Sequence, residues 1–140
     1  LFLDERIYAP RLLSTEFFTL ADEGVRETYA EIFADSEDPR LIEEMAQYVR
    51  KDGSTFNVLP VKKEQGSVFA GIREVKRHHL HITRRSANIQ REIKFYKWKE
   101  DKNGQVQDDP VKLHDHAMDA VRYPVFMRPQ RSQFEVVFSA

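Results

Sequence analysis

Residues 29–63 read YAEIFADSEDPRLIEEMAQYVRKDGSTFNVLPVKK, and this stretch decides the fold. Tyr29 to Ala34 is short, apolar and stops at Asp35-Ser36, so it predicts a buried strand with a carboxylate at its carboxyl end. Asp38-Pro39 is a helix entry, because Asp caps and Pro fits the first turn. Leu41, Ile42, Met45, Ala46 and Val49 then repeat at helical spacing. Lys51-Asp52-Gly53-Ser54 turns the chain into a second apolar run, Phe56 to Val61. A strand, a helix and a strand in this order predict an α/β layered sheet.

The same alternation extends in both directions. Upstream, Leu1 to Tyr8 predicts a strand ended by Pro10, and Ser14-Thr15-Glu16 offers a cap for a helix with Phe17, Phe18, Leu20 and Ala21 on its apolar face. Downstream, Ser67 offers a cap for a helix with Val68, Phe69, Ile72 and Val75. His79 to Thr83 predicts a short strand, and Ser86 or Asn88 starts a helix through Ile89, Ile93 and Tyr96. Asn103-Gly104 between two extended runs is a strong hairpin signal. A last helix is expected over roughly 113–125, followed by a tail in which Phe134 to Phe138 could add an edge strand.

Composition narrows the function classes. The chain has 140 residues, no cysteine, and 22 basic against 23 acidic residues. A length near one domain suffices for a core without disulfides or a structural metal. The lack of cysteine excludes thiolate zinc sites and cysteine nucleophiles. The charge balance excludes a globally basic nucleic-acid binder but permits a local basic patch. No apolar run is long enough to span a bilayer.

In α/β sheets ligands gather beyond the carboxyl ends of strands, which directs attention to Asp35. Turn and cap chemistry is the bland explanation for it. On a helix, His116 and Asp119 stand at i and i+3 and share one face. A carboxylate with an imidazole suits Mg²⁺ or, better, Mn²⁺; the alternative is an amphipathic helix with a His–Asp contact. Lys62, Lys63, Gly66 and Ser67 form a basic loop at a helix start, a setting that attracts phosphate. Arg73, Lys76, Arg77, Arg84, Arg85 and Arg91 could track a DNA backbone or simply line a solvated face. His78, His79 and His81 are read as a surface strand end, because no third ligand type accompanies them.

Four segments together resemble the nuclease domain of tailed-phage terminase large subunits. They are Ala34 to Pro39; Lys62-Lys63 with Gly66-Ser67-Val68 and Gly71-Ile72; Tyr96 to Lys99 with Asp101 to Gly104 and Pro110-Val111; and Asp115 to Tyr123. The resemblance implies an RNase H-like mixed sheet flanked by helices, with a β-hairpin before the C-terminal helix. It implies a nuclease domain over residues 1–127 and a tail over 128–140. It also implies an endonuclease that cleaves double-stranded DNA concatemers during genome packaging, by two-metal phosphodiester hydrolysis with Mg²⁺ or Mn²⁺. Asp35, His116 and Asp119 match metal-site positions of the family; Lys62, Lys63, Ser67 and Arg73 are the expected phosphate contacts. The implied partners are double-stranded DNA, an upstream ATPase domain of the same protein, the portal and the small terminase subunit, in the cytoplasm of a bacterial host and not at a membrane.

The family's first metal-binding Asp lies on an opening strand that has no counterpart here, and Leu1 corresponds to a later strand. The chain is therefore expected to be a fragment, weak or inactive as a nuclease alone, with an exposed sheet edge. A non-catalytic DNA-binding or docking module of a packaging assembly is the alternative reading.

Overall fold

A computed structural model describes residues 1–27, 29–96, 98–100, 102–110 and 115–135. The elements alternate as the sequence predicts: β1 (Phe2–Leu3), α1 (Ser14–Gly24), β2 (Glu31–Ala34), α2 (Pro39–Gln47), β3 (Asn57–Pro60), α3 (Ser67–Lys76), β4 (His81–Ile82), α4 (Ala87–Phe95), β5 (Trp98–Glu100), β6 (Val106–Pro110) and α5 (His116–Glu135). Among the described residues the strands pair in twos. β1 runs parallel to β4, β2 parallel to β3, and β5 antiparallel to β6. The chain forms two compact units, one of Arg6–Lys63 and the other of Leu1–Glu5 with Glu64–Ala140.

The unit of residues 6–63 is a strand–helix–strand with α1 packed on it. Asp38 caps α2 as predicted, its Oδ1 accepting from the Leu41 amide at 3.0 Å, with Pro39 in the first turn. The helix stops two residues short of the expected Val49. Tyr48 turns extended and carries its ring between Phe18 (5.6 Å) and Phe56 (5.9 Å), leaving Val49 bridged to Thr55 and exposed. The core is Phe18, Ala21, Met45 and Phe56, flanked by Ile7, Ile32, Leu41 and Val58; each large side chain buried here contributes about 1.5–3 kcal/mol. Ser14 begins α1 rather than capping it; instead Glu16 reaches back to the Leu13 amide at 3.0 Å. At the other end of α1, Arg50 is buried. It donates from Nε to Asp22 (2.9 Å) and from Nη2 to the Val25 carbonyl, and lies 5.0 Å over the Phe56 ring.

The second unit packs α3, α4 and α5 about Ile89, Ala117, Met118 and Val121, with Leu3, Val75, Ile82 and Tyr96 against them. The expected Ser67 cap is displaced by one residue: Gly66 holds the N-cap place at φ 80°, a left-handed conformation that glycine adopts without steric cost. Ser67 is buried in the first turn. α5 runs to Glu135, past Pro124, further than the expected end near residue 125. Tyr123 and Met127 are buried on either side of the proline, and packing of this kind outweighs a local helix breaker. Phe134 and Glu135 are thus helical, and the remainder of the edge-strand expectation, 136–138, lies outside the described residues. Gly71 lets α3 approach α5 closely, since a Cβ there would stand 2.6 Å from Arg122 Cγ.

Two helices in this unit are capped from outside their own sequence. Glu5 accepts from the Asn88 and Ile89 amides at the start of α4, at 3.1 and 3.0 Å. Glu92 does the same for α5, accepting from the Ala117 and Met118 amides at 2.7 and 3.2 Å. Such carboxylates satisfy donors that a helix start leaves open and complement its positive end.

Candidate metal and phosphate site

Asp35 follows the last residue of β2, where the sequence places it. The pairing that puts Ala34 opposite Pro60 is parallel, so the chain leaving β3 emerges beside it. Lys63 thereby reaches Asp35 Oδ1 at 2.6 Å and Glu37 Oε1 at 2.8 Å. Burial works against the Lys63 charge, but hydrogen bonds to Asp35 and Glu37, and their charges, hold its pKa above the ordinary lysine value. Asp35 Oδ1 also accepts from the Glu37 amide at 3.0 Å, so the turn role and an ion-pair role coexist in one side chain. Its carboxylate stays 42% exposed and Lys63 37%. Lys62 is exposed on the same loop. Glu37 was not among the predicted site residues; its signal is the short acidic spacing after a strand end.

His116 and Asp119 occupy the first turn of α5, and the i, i+3 spacing puts them on one face. His116 is exposed and Asp119 half-buried. Arg122, 6% exposed, donates from Nη2 to Asp119 Oδ1 at 2.7 Å. Beside this pair, the Tyr96 hydroxyl and Arg122 Nε are buried with no hydrogen-bond partner among the described residues. Burial pushes the Tyr96 hydroxyl up to about 12, with the Asp119 and Asp115 charges adding and Arg122 opposing. The carboxylate–imidazole pair itself suits Mn²⁺ or Mg²⁺. Among the described residues, no three His, Cys, Asp or Glu side chains converge on one point. The two halves of the predicted metal set thus sit in different units, Asp35 in the first and His116–Asp119 in the second.

The basic stretch is partly committed to its own surface. Arg77 pairs with Glu74 at 3.2 Å, and Arg85 pairs with Asp4. Arg73 is exposed on α3, in contrast to the buried Ser67. The histidine tract is a surface strand end, as expected: His81 stacks on Phe2 at 4.7 Å and His78 lies 3.6 Å from Glu74. No helix among the described residues is long and apolar enough to cross a membrane.

A family model described as the terminase RNase H-like domain matches residues 14–126. Among solved structures, the chain is similar to the nuclease domain of g2p, the large terminase of bacteriophage SPP1, determined with bound Mn. The two share 28% identity and a TM-score of 0.65, over 80% of this chain and 63% of that one. The chain thus spans less than two thirds of that domain. No curated protein sequence matches it.

Proposed function

Given that this chain belongs to the terminase RNase H-like domain family, we propose that it serves as the metal-dependent nuclease domain of a DNA-packaging terminase large subunit. The substrate would be double-stranded DNA concatemers, cut in a bacterial cytoplasm. Its partners would be an ATPase domain of the same protein, the portal and the small terminase subunit. The observation that supports this most is the placement of acids at a strand end and a helix start, Asp35 after β2 and His116–Asp119 in the first turn of α5, within a family-matched chain whose solved relative holds Mn.

Asp35, His116 and Asp119 would hold the cations. When bound, two such ions supply an activated water and stabilise the leaving oxygen of a phosphodiester. Lys63 pairs with both Asp35 and Glu37 in the structure. A cation at Asp35 would compete with that ammonium and turn it toward backbone phosphate. Lys62, on the same exposed loop, and Arg73 would add phosphate contacts that position DNA without reading its sequence.

The lysine part of this reading is tested by DNA binding as a function of salt. Each phosphate contact contributes about 0.9 to the slope of log affinity against log salt. The double variant Lys62→Ala, Lys63→Ala is expected to bind short duplex DNA more weakly, with a slope shallower by roughly 1.8. An unchanged slope would remove both lysines from the DNA contact.

A further inference from the structure

We propose that Glu92 is a positioning residue for the metal-binding turn of α5. It takes the amides of Ala117 and Met118 so that the acids of that turn, Asp115 included, stay available to a cation. The inference rests on the metal reading of His116 and Asp119 given above.

Glu92 is 2% exposed, the most buried acid described in the chain. A carboxylate so placed needs strong compensation, and it has it in the two amides, at 2.7 and 3.2 Å. These are the second and third residues of α5, the amides that an N-cap side chain ordinarily serves. The residue in the N-cap place is Asp115, whose carbonyl accepts from the Asp119 amide at 2.8 Å. Glu92 therefore does from α4 what the Asp115 side chain would otherwise do locally.

The consequence for a cation at this turn is geometric: the turn is gripped from both sides. Glu92 fixes its backbone, while Arg122, wedged against Gly71, holds the Asp119 carboxylate at 2.7 Å. His116 and Asp119 are thus presented on a turn whose own polar backbone groups make no demand on them. Outer-shell partners of this kind set metal affinity by orienting the ligands.

The test compares Mn²⁺ affinity, by calorimetry, in the full chain and in three variants. Glu92→Gln keeps the reach and one acceptor oxygen. Glu92→Asp keeps the charge but is one methylene too short to serve both amides from α4. Glu92→Ala removes both. Glu92→Asp and Glu92→Ala are expected to bind Mn²⁺ about 10–100-fold more weakly, and Glu92→Gln within about threefold of wild type. Exchange of the Ala117 and Met118 amides should quicken in the first two and not in the third. If Glu92→Ala fails to fold, the contrast between the Asp and Gln variants decides. Wild-type affinity in Glu92→Asp, or equal weakness in Glu92→Gln, would overturn the proposal while leaving the metal site standing. Absence of Mn²⁺ binding to the wild-type chain would instead overturn the metal reading, and this inference with it.

Discussion

Asp35→Asn and Asp119→Asn are each expected to reduce Mn²⁺-dependent cleavage of double-stranded DNA by about 10³-fold or more. The size follows from the ion-holding role proposed for the two carboxylates. A divalent ion contributes several kcal/mol of charge stabilisation to phosphodiester cleavage, and each ~1.4 kcal/mol is a factor of ten in rate. An amide in place of a carboxylate keeps the shape and loses the charge that holds the ion. Asp35→Asn also releases Lys63 from its 2.6 Å contact, so DNA binding should persist or tighten while cutting is lost. A plasmid nicking assay with a parallel binding assay separates the two effects. Undiminished cleavage in both variants removes Asp35 and Asp119 from the proposed metal site, whereas DNA binding without any Mn²⁺-dependent cleavage by the wild-type protein would leave the non-catalytic DNA-binding module.

Arg50→Ala unfolds the unit of residues 6–63 far more readily than wild type. Arg50 and its partner Asp22 are each only 4% exposed at the side chain. Arg50 also serves the Val25 and Glu27 carbonyls past the end of α1 and covers the Phe56 ring. Removing Arg50 leaves Asp22 with the Lys51 amide but without its paired guanidinium, and leaves the Val25 carbonyl without its donor, a strongly destabilising change. The urea midpoint should fall by more than about 1 M. Arg50→Lys should not restore it, because an ammonium cannot reproduce the planar fork that meets three acceptors. The pair also gives the unit an acid limit. A hydrogen bond from the Lys51 amide lowers the Asp22 pKa against the opposing effect of burial, with Arg50 and Lys51 charges assisting. Since the folded value lies below the unfolded one near 3.8, this stability is present above pH 3.8 and fades as the pH falls through the folded value. A midpoint unchanged in Arg50→Ala would mean that the cluster is not what holds α1 to the β2–β3 pair.

Much of the fold was legible because local chemistry and packing agreed. Asp38-Pro39 caps α2 where the sequence says it should, and Asn103-Gly104 turns the hairpin, with Gly104 at φ 77°. The misreadings occur where a residue beyond the local window supplies the missing group. Ser67 looked like a cap, but Gly66 provides the left-handed entry and Ser67 goes into the core. Ser86 holds the N-cap place of α4, yet the side chain that serves the helix amides belongs to Glu5, some eighty positions earlier. α5 passes Pro124 because the burial of Tyr123 and Met127 beside it compensates for the lost bond.

The site shows the same division. The placement of Asp35 at a strand end and of His116 and Asp119 on one helical face was readable from periodicity, whereas the metal role proposed for them came from the family resemblance. Lys63 on Asp35 needed the knowledge that β2 and β3 run parallel, which brings their carboxyl ends together. Glu92 left a readable trace: it falls at i+3 from Ile89 on the apolar stripe that continues to Tyr96, a place where an acid requires a buried partner. Arg122 left none, since an arginine in a helix is ordinarily a surface residue.

The most direct measurement is calorimetric titration of Mn²⁺ into this chain and into its Asp119→Ala variant. The account predicts a binding isotherm for the wild-type chain that is lost in the variant, because His116 and Asp119 supply ligands from a turn already fixed by Glu92 and Arg122. Binding of equal strength in both, or in neither, would contradict the assignment of the α5 turn as the metal-holding element.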